Sequence, residues 1–221
     1  MRKLLVLRPE PGASATVSRA RALGLDAIAV PLFAVEAVGW TVPDPARFDA
    51  LLLTSANAVR HGGPQLADLR GLPVHAVGEA TATAAGEAGF AVASVSEGGV
   101  DELLAQIDPG LRLLHLCGED RREPSNARQA ITAVAVYRSV ALDPPPLPDA
   151  DGALALVHSP RAAQRFAELV GDRSTVLLAA ISQAAADAAG SGWAAVAVAE
   201  KPTDEALLAL ARRLCDKDAG Q

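Results

Sequence analysis

An internal repeat with a period of about one hundred residues constrains this chain more than any single motif. Residues 50–104 read as strand, "TSANAV" helix, strand, "GEATATAAGEAG" helix, strand, and a helix beginning "VDELL". Residues 154–210 repeat that order through "LALVHSPRAAQRF", "LLAAISQAAADAAG" and "AAVAVAEKPTDEALL". Ser55 and Ser159 lie 104 positions apart, as do Gly78 and Ser182, and Asp101 and Asp204 lie 103 apart. The register therefore holds along the whole copy. A period this long means two similar domains rather than a short-repeat solenoid, and two matched domains bring a cleft, the usual place for a ligand.

The 221 residues suit two domains of about 100 each. Half of the residues are hydrophobic but only 3% are aromatic, so the cores must be built from Ala, Val and Leu, which favours helices packed closely on a sheet. The longest apolar runs are far shorter than the roughly 20 residues a membrane helix needs. "MRKLLVLRP" lacks the apolar stretch of a secretory signal, so a cytoplasmic protein is expected. Cys117 and Cys215 make no disulfide framework, and His61, His75, His115 and His158 show no metal-ligand spacing. No metal is expected. A net charge of −6 with scattered basic residues argues against nucleic acid.

Short apolar runs alternate with helical segments throughout, the pattern of parallel α/β layers. "KLLVLR" (3–8) is a strand, Ser14 opens a helix that Gly24 closes, and "AIAVP" (27–31) is the next strand. The rhythm breaks twice, in "LFAVEAVGWTVPDP" and in "VAVYRSVALDPPPLPD", both extended and both ending in prolines. Two such stretches form a two-stranded interdomain ribbon. Domain one is then 1–34 plus 146–221, domain two is 40–133 inserted into it, and the ribbon is 35–39 with 134–145. "LRLLHLCGEDRREPSNARQAITAVAV" supplies domain two with a strand, a helix and a strand, so the insertion is a permutation of the same fold. The fold class is α/β, with two similar flavodoxin-like parallel-sheet domains.

Parallel sheets bind ligands beyond the carboxyl ends of their strands, where helix N-termini present free N–H groups. Four such junctions are legible: Thr54-Ser55-Ala56-Asn57, Gly78-Glu79-Ala80-Thr81, His158-Ser159-Pro160 and Ile181-Ser182-Gln183. Each has two readings, an ordinary helix cap or a donor set for an anion, and four at corresponding positions favour the anion. Neither G-x-G-x-x-G nor G-x-x-x-x-G-K-[ST] occurs, so no nucleotide loop is expected. His158 beside Ser159 faces the wrong way for a base if the strand alternates. Tyr137, the one tyrosine, lies in "VYRSV". It reads either as a strand aromatic or as a phenol that stays protonated and donates to a leaving oxygen. Arg138 points to the opposite face.

Several of these segments together resemble the uroporphyrinogen-III synthase family: "LLLTSANAV" with "AVGEATATAA", then "LHLCGEDRR", "VAVYRSV", a late "SP…AA" and "AEKPTDEALL", over nearly all the chain. The resemblance implies a cofactor-free cyclising lyase acting on hydroxymethylbilane, a linear tetrapyrrole with eight carboxylates. Its terminal hydroxyl leaves as water, ring D is attacked at its substituted carbon, and closure after a spiro intermediate delivers ring D inverted. Such chemistry asks the protein for positioning and for donors that hold carboxylates. By resemblance Tyr137 helps the hydroxyl leave, and Thr54, Ser55, Gly78, Thr81 and Ser159 contact substrate carboxylates. Asn57 and Ser182 join them from the junction pattern, and Arg8 with Arg121 or Arg122 are charge partners. Two departures stand out: Ser182-Gln183-Ala184-Ala185 replaces a Gly-x-Thr-type turn, and His158 replaces a Thr or Ser.

A monomer is expected, with the bilane as partner and transient contact with the preceding pathway enzyme; no membrane and no nucleic acid. The alternative is a non-catalytic two-lobed protein that holds a polycarboxylate tetrapyrrole or another anionic metabolite. A scaffold passing tetrapyrrole between enzymes would need an exposed apolar patch, and none is legible.

Overall fold

Alternating runs of Leu, Val and Ala build two sheets, each belonging to one of two units. The structure is a computed structural model that describes residues 2–121, 123–143 and 145–218. The chain divides into one unit of 1–34 with 141–221 and another of 35–140.

The first unit holds β1 (Leu4–Val6), α1 (Gly12–Ala22) and β2 (Ala27–Ala29) before the second unit intervenes. The second unit runs through β3 (Phe33–Ala37), β4 (Ala50–Leu53), α2 (Ala56–His61), β5 (Val74–Val77), α3 (Glu79–Glu87), β6 (Val92–Ser96), α4 (Val100–Gln106), β7 (Arg112–Gly118) and β8 (Ala130–Ala141). The first unit then resumes with β9 (Leu154–Val157), α5 (Pro160–Leu169), β10 (Leu177–Ala180), α6 (Gln183–Ala189), β11 (Ala195–Val198) and α7 (Asp204–Asp218). No helix among the described residues is long and apolar enough to cross a membrane.

The five-stranded sheet has the order β11-β10-β9-β1-β2, with every pairing parallel. Strands covered on both faces read as continuous apolar runs, and β1 and β9 are buried at every residue. One face carries α5 and α6 over Leu5, Leu7, Ala155 and Val157, and the other carries α1 and α7 over Leu4, Val6, Leu154 and Leu156. Phe166 is fully buried and stacks on Trp193, ring centroids 5.5 Å apart. Alanine lines most of the helix surfaces. That is how a core with so few aromatic rings still reaches close packing.

The six-stranded sheet has the order β3-β8-β7-β4-β5-β6. The pairings β8–β7, β7–β4, β4–β5 and β5–β6 are parallel, with Leu51 opposite Leu114 and Val74, and His115 opposite Leu52. Leu51, Leu53, Leu114 and Leu116 face α2 and α3, and Ala50, Leu52 and Leu113 face α4. Trp40 donates its Nε1–H to Gly62 O at 2.9 Å, fastening the extended stretch after β3 to the end of α2.

The structure departs from the sequence reading between β7 and β8 and at the start of α1. No helix joins β7 to β8: 119–121 and 123–129 are irregular, a charged, Pro-containing stretch without an apolar face, and Asp101 holds it by accepting from the N–H groups of Ser125 (2.8 Å) and Asn126 (3.4 Å). β8 takes in residues 134–141 of the expected ribbon, and its 130–137 stretch pairs with β7. α1 starts at Gly12, after Pro11, rather than at Ser14, and the Glu10 carboxylate accepts from Ser14 N–H and Oγ–H at 3.0 and 2.9 Å. Gly86 lies inside α3, and Gly89, with φ +86°, is the residue that ends it.

Candidate active site

Where the strand order of an open parallel sheet reverses, the two neighbouring loops part and leave a crevice at the carboxyl ends. In the second unit that place lies between β7 and β4. Thr54 and Ser55 follow β4, and Gly118, which ends β7, pairs with Tyr137 of β8 at a register shift. Three expected residues thus meet: Tyr137, Ser55 and Thr54. The Tyr137 phenol lies against Gly118, with Ser55 near enough to favour its ionised form. The ring of His61 lies beside it, centroids 6.4 Å apart and tilted by 40°.

Gly118 is the residue that sequence reasoning missed. A Cβ there would stand 2.8 Å from Tyr137 Cε2, 2.9 Å from Cζ and 3.2 Å from the hydroxyl oxygen. The phenol therefore occupies the space a side chain would fill. A glycine closing a β-strand is a legible signal for such close approach. Burial pushes the Tyr137 pKa above its usual 10, and the nearby Ser55 side chain opposes this in part. At neutral pH the group is a proton donor.

Thr54 Oγ1 is hydrogen-bonded to His115 Nε2 at 3.1 Å. His115 is 2% exposed, and burial, aided by the nearby Arg121 charge, pushes its pKa from 6.5 to about 4. It is neutral at pH 7 and buttresses Thr54. Arg121 pairs with Glu123 at 3.3 Å and borders a 370 Å³ cavity with His115 and Gln129. The Gln129 amide is spent on the carbonyls of Leu104, Ile107 and Asp108 at the end of α4. Arg122 lies outside the described residues.

The histidine gives a pH test. Between about pH 6.5 and about pH 4 the unfolded chain binds a proton that folded His115 refuses, so stability falls as pH drops through this window, by up to about 3 kcal/mol. Burial lowers His61 and His75 in the same direction. Thermal melts across the window should show the loss, and His115→Asn should flatten it; parallel profiles for the two proteins would exclude His115 as the cause.

The helix N-termini are more occupied than the sequence suggests. Ser55, Ser159 and Ser182 each accept from their own helix, at Asn57 N (3.2 Å), Ala162 N (3.2 Å) and Ala185 N (3.4 Å). The cap reading therefore holds for all three, although their hydroxyl hydrogens remain available as donors. Gly78 caps α3 with φ +79° and open space at its Cβ position, while Thr81 is buried and its N–H is bonded to Gly78 O at 3.0 Å. At the start of α3 the N–H of Glu79 meets the carboxylate of Glu97 at 3.2 Å. The chain supplies its own anion there. No periodicity signals it, because Glu97 arrives from the end of a different strand.

In the first unit the reversal lies between β1 and β9, which Arg8 and His158 follow. His158 does not address Ser159: its Nε2–H donates to Asp204 Oδ1 at 2.8 Å. Asp204 also accepts from Thr16 Oγ1 (2.9 Å) and from Arg19 Nε and Nη2 (2.9 and 2.7 Å), and Arg8 stands 3.6 Å away. These bonds outweigh burial and hold the carboxyl far below the usual carboxylate range. Arg8 is thus tied to an acid of its own unit, a partner 196 positions away that the sequence gives no means of pairing with it.

No curated protein matches the chain. Among solved structures, a uroporphyrinogen-III synthetase from Helicobacter pylori 26695 is 20% identical with a TM-score of 0.66, covering 97% of this chain and all of that one. A mutant uroporphyrinogen III synthase from the extremely thermophilic bacterium Thermus thermophilus is 21% identical with a TM-score of 0.56, covering 98% of this chain and all of that one. Identities this low speak for the fold. The family assignment comes from the sequence model for uroporphyrinogen-III synthase HemD, which matches residues 14–209. With that match running through both units and through the β7–β8 segment that carries the phenol, the chain belongs to the uroporphyrinogen-III synthase family.

Proposed function

We propose that Tyr137 is the proton donor of this chain, set at the β7–β4 reversal to help the terminal hydroxyl of hydroxymethylbilane depart. As a member of its family the chain is a cofactor-independent cyclising lyase of tetrapyrrole biosynthesis. The reading of Tyr137 rests on one observation: the chain's single phenol lies where its sheet is built to take a ligand, packed on Gly118 and kept protonated by burial.

In this reading the C–O bond breaks as the Tyr137 proton passes to the leaving oxygen, giving water, a phenolate and a protonated azafulvene (azafulvenium) that keeps its pyrrole N–H. The pyrrole electrons of ring D attack through its substituted carbon, the spiro intermediate fragments, and closure leaves ring D inverted. A proton lost as the last pyrrole regains aromaticity restores the phenol. The substrate supplies every electron pair, so the protein contributes proton transfer and positioning. Thr54, Ser55 and Ser159 offer hydroxyl donors to carboxylates, and Arg8 offers a charge.

The strand orders support reading both units as flavodoxin-like domains, the second inserted in the first with β3 and β8 as its extended connections. The first sheet runs 2-1-3-4-5 when its own strands are counted in chain order, and the second does so once β7 and β8 are counted first and β3 is set aside. The experiment is to supply bilane freshly made by the preceding enzyme, oxidise the products and measure the ratio of III to I isomers. A large excess of III is expected. A ratio equal to that of the enzyme-free control would overturn the catalytic reading.

A further inference from the structure

The Tyr137 phenol has a neighbour to which the reaction gives no part. His61, the last residue of α2, sets its half-buried ring beside that of Tyr137, centroids 6.4 Å apart and tilted by 40°. Aromatic rings at such a separation attract each other, and the attraction favours the packed arrangement over a free one by roughly twofold to tenfold. Burial and the neighbouring Arg60 charge keep the imidazole neutral at pH 7. It therefore meets the phenol as a ring and not as a cation.

A half-buried residue at the end of a six-residue helix would ordinarily swing, but here the chain around it is fixed from two sides. Gly62 comes next, and a Cβ on it would stand 2.6 Å from Ala58 O and 2.9 Å from both Leu66 Cδ1 and Leu66 Cδ2. The backbone turns there at closest approach to α2 and to the short helix Pro64–Leu69. The Gly62 carbonyl, free because a helix end leaves it so, accepts the Trp40 indole N–H at 2.9 Å. Trp40 and Tyr137 both pack against the core that holds Leu53, Leu66 and Val136. Indole, corner and phenol thus share one frame. Gly118 gives the phenol its space, and space alone does not orient a ring.

We propose that His61 is a positioning residue for Tyr137: its ring packs on the phenol and, anchored through Gly62 to Trp40, keeps the hydroxyl beside Ser55 at the β7–β4 reversal. This role rests on the reading of Tyr137 as the proton donor. A donor displaced by about 1 Å loses on the order of 100-fold in rate. Loss of the His61 contact costs less, because Gly118 still receives the ring; the upper end of the ring-pair range, about tenfold, is the expected effect.

His61→Ala should lower kcat for III-isomer formation about tenfold with KM little changed, and alanine, the better helix former, keeps α2 intact. His61→Phe, which retains a ring, should stay within about threefold of wild type. Trp40→Phe, which loses the indole N–H, should fall between the two, and Arg60→Ala, exposed on the same turn, should do nothing. Because His61 acts through the phenol, His61→Ala with Tyr137→Phe should be no slower than Tyr137→Phe alone. The chain has one tyrosine, so NMR relaxation of ring-labelled tyrosine reports this phenol and no other. Its motional order should fall in His61→Ala and be kept in His61→Phe. A His61→Ala kcat within about twofold of wild type, or a ring order that does not fall, overturns the role; so does His61→Phe as slow as His61→Ala, which would place the effect in the imidazole nitrogens. If wild type forms no excess of III, or Tyr137→Phe is as fast as wild type, the functional reading fails instead. The ring order then still decides whether His61 holds the phenol: a fall in His61→Ala supports it, and no fall overturns it.

Discussion

Tyr137→Phe is expected to lower kcat for III-isomer formation about 100-fold with KM nearly unchanged. General acids contribute roughly 10²–10⁴, and the low end applies because the bilane also loses its hydroxyl unaided. The ring and its packing on Gly118 survive the change, and only the hydroxyl beside Ser55 is lost. Stability should fall by about 1 kcal/mol, too little to account for the rate. The measurement is an initial rate with freshly generated bilane, products oxidised and separated by isomer. A rate within twofold of wild type would remove Tyr137 from the chemistry and leave it a strand aromatic.

Gly118→Ala should cost about as much, although it touches no proton. The added methyl enters the ring's own space, under 3 Å from two of its carbons, so the phenol must swing away from Ser55. A displacement of about 1 Å at a reacting group is worth on the order of 100-fold. Because both changes act through one group they should not add: Gly118→Ala with Tyr137→Phe should be no slower than Tyr137→Phe alone. A double variant far slower than either would mean that Gly118 has a separate role.

The sheets were legible in the sequence because parallel strands write continuous apolar runs and the repeat wrote them twice. The junction residues were legible for the same reason: Ser55, Ser159 and Ser182 stand at helix starts, where local chemistry settles the position. What stayed hidden depends on partners distant along the chain. His158 and Asp204 lie 46 positions apart and read as a departure and as a register mark of the repeat, respectively, until α7 brought them together. The carboxylate of Glu97 at the start of α3 is the same kind of fact. The missing helix between β7 and β8 misled for a different reason: the repeat argued for it by analogy, while "EDRREPSNARQ" has no apolar stripe to bury and Asp101 binds its amides in the place that α1 fills in the other copy.

The two indoles are divided evenly: Trp40 is pinned to the end of α2, and Trp193 is stacked on Phe166 beneath Arg173. Each unit therefore carries its own fluorophore. With Trp40→Phe the emission belongs to the outer, discontinuous unit, and with Trp193→Phe to the inserted one. Denaturant titrations of the pair report whether the halves melt at one midpoint or at two, a question of cooperativity that a chain with scattered tryptophans would blur.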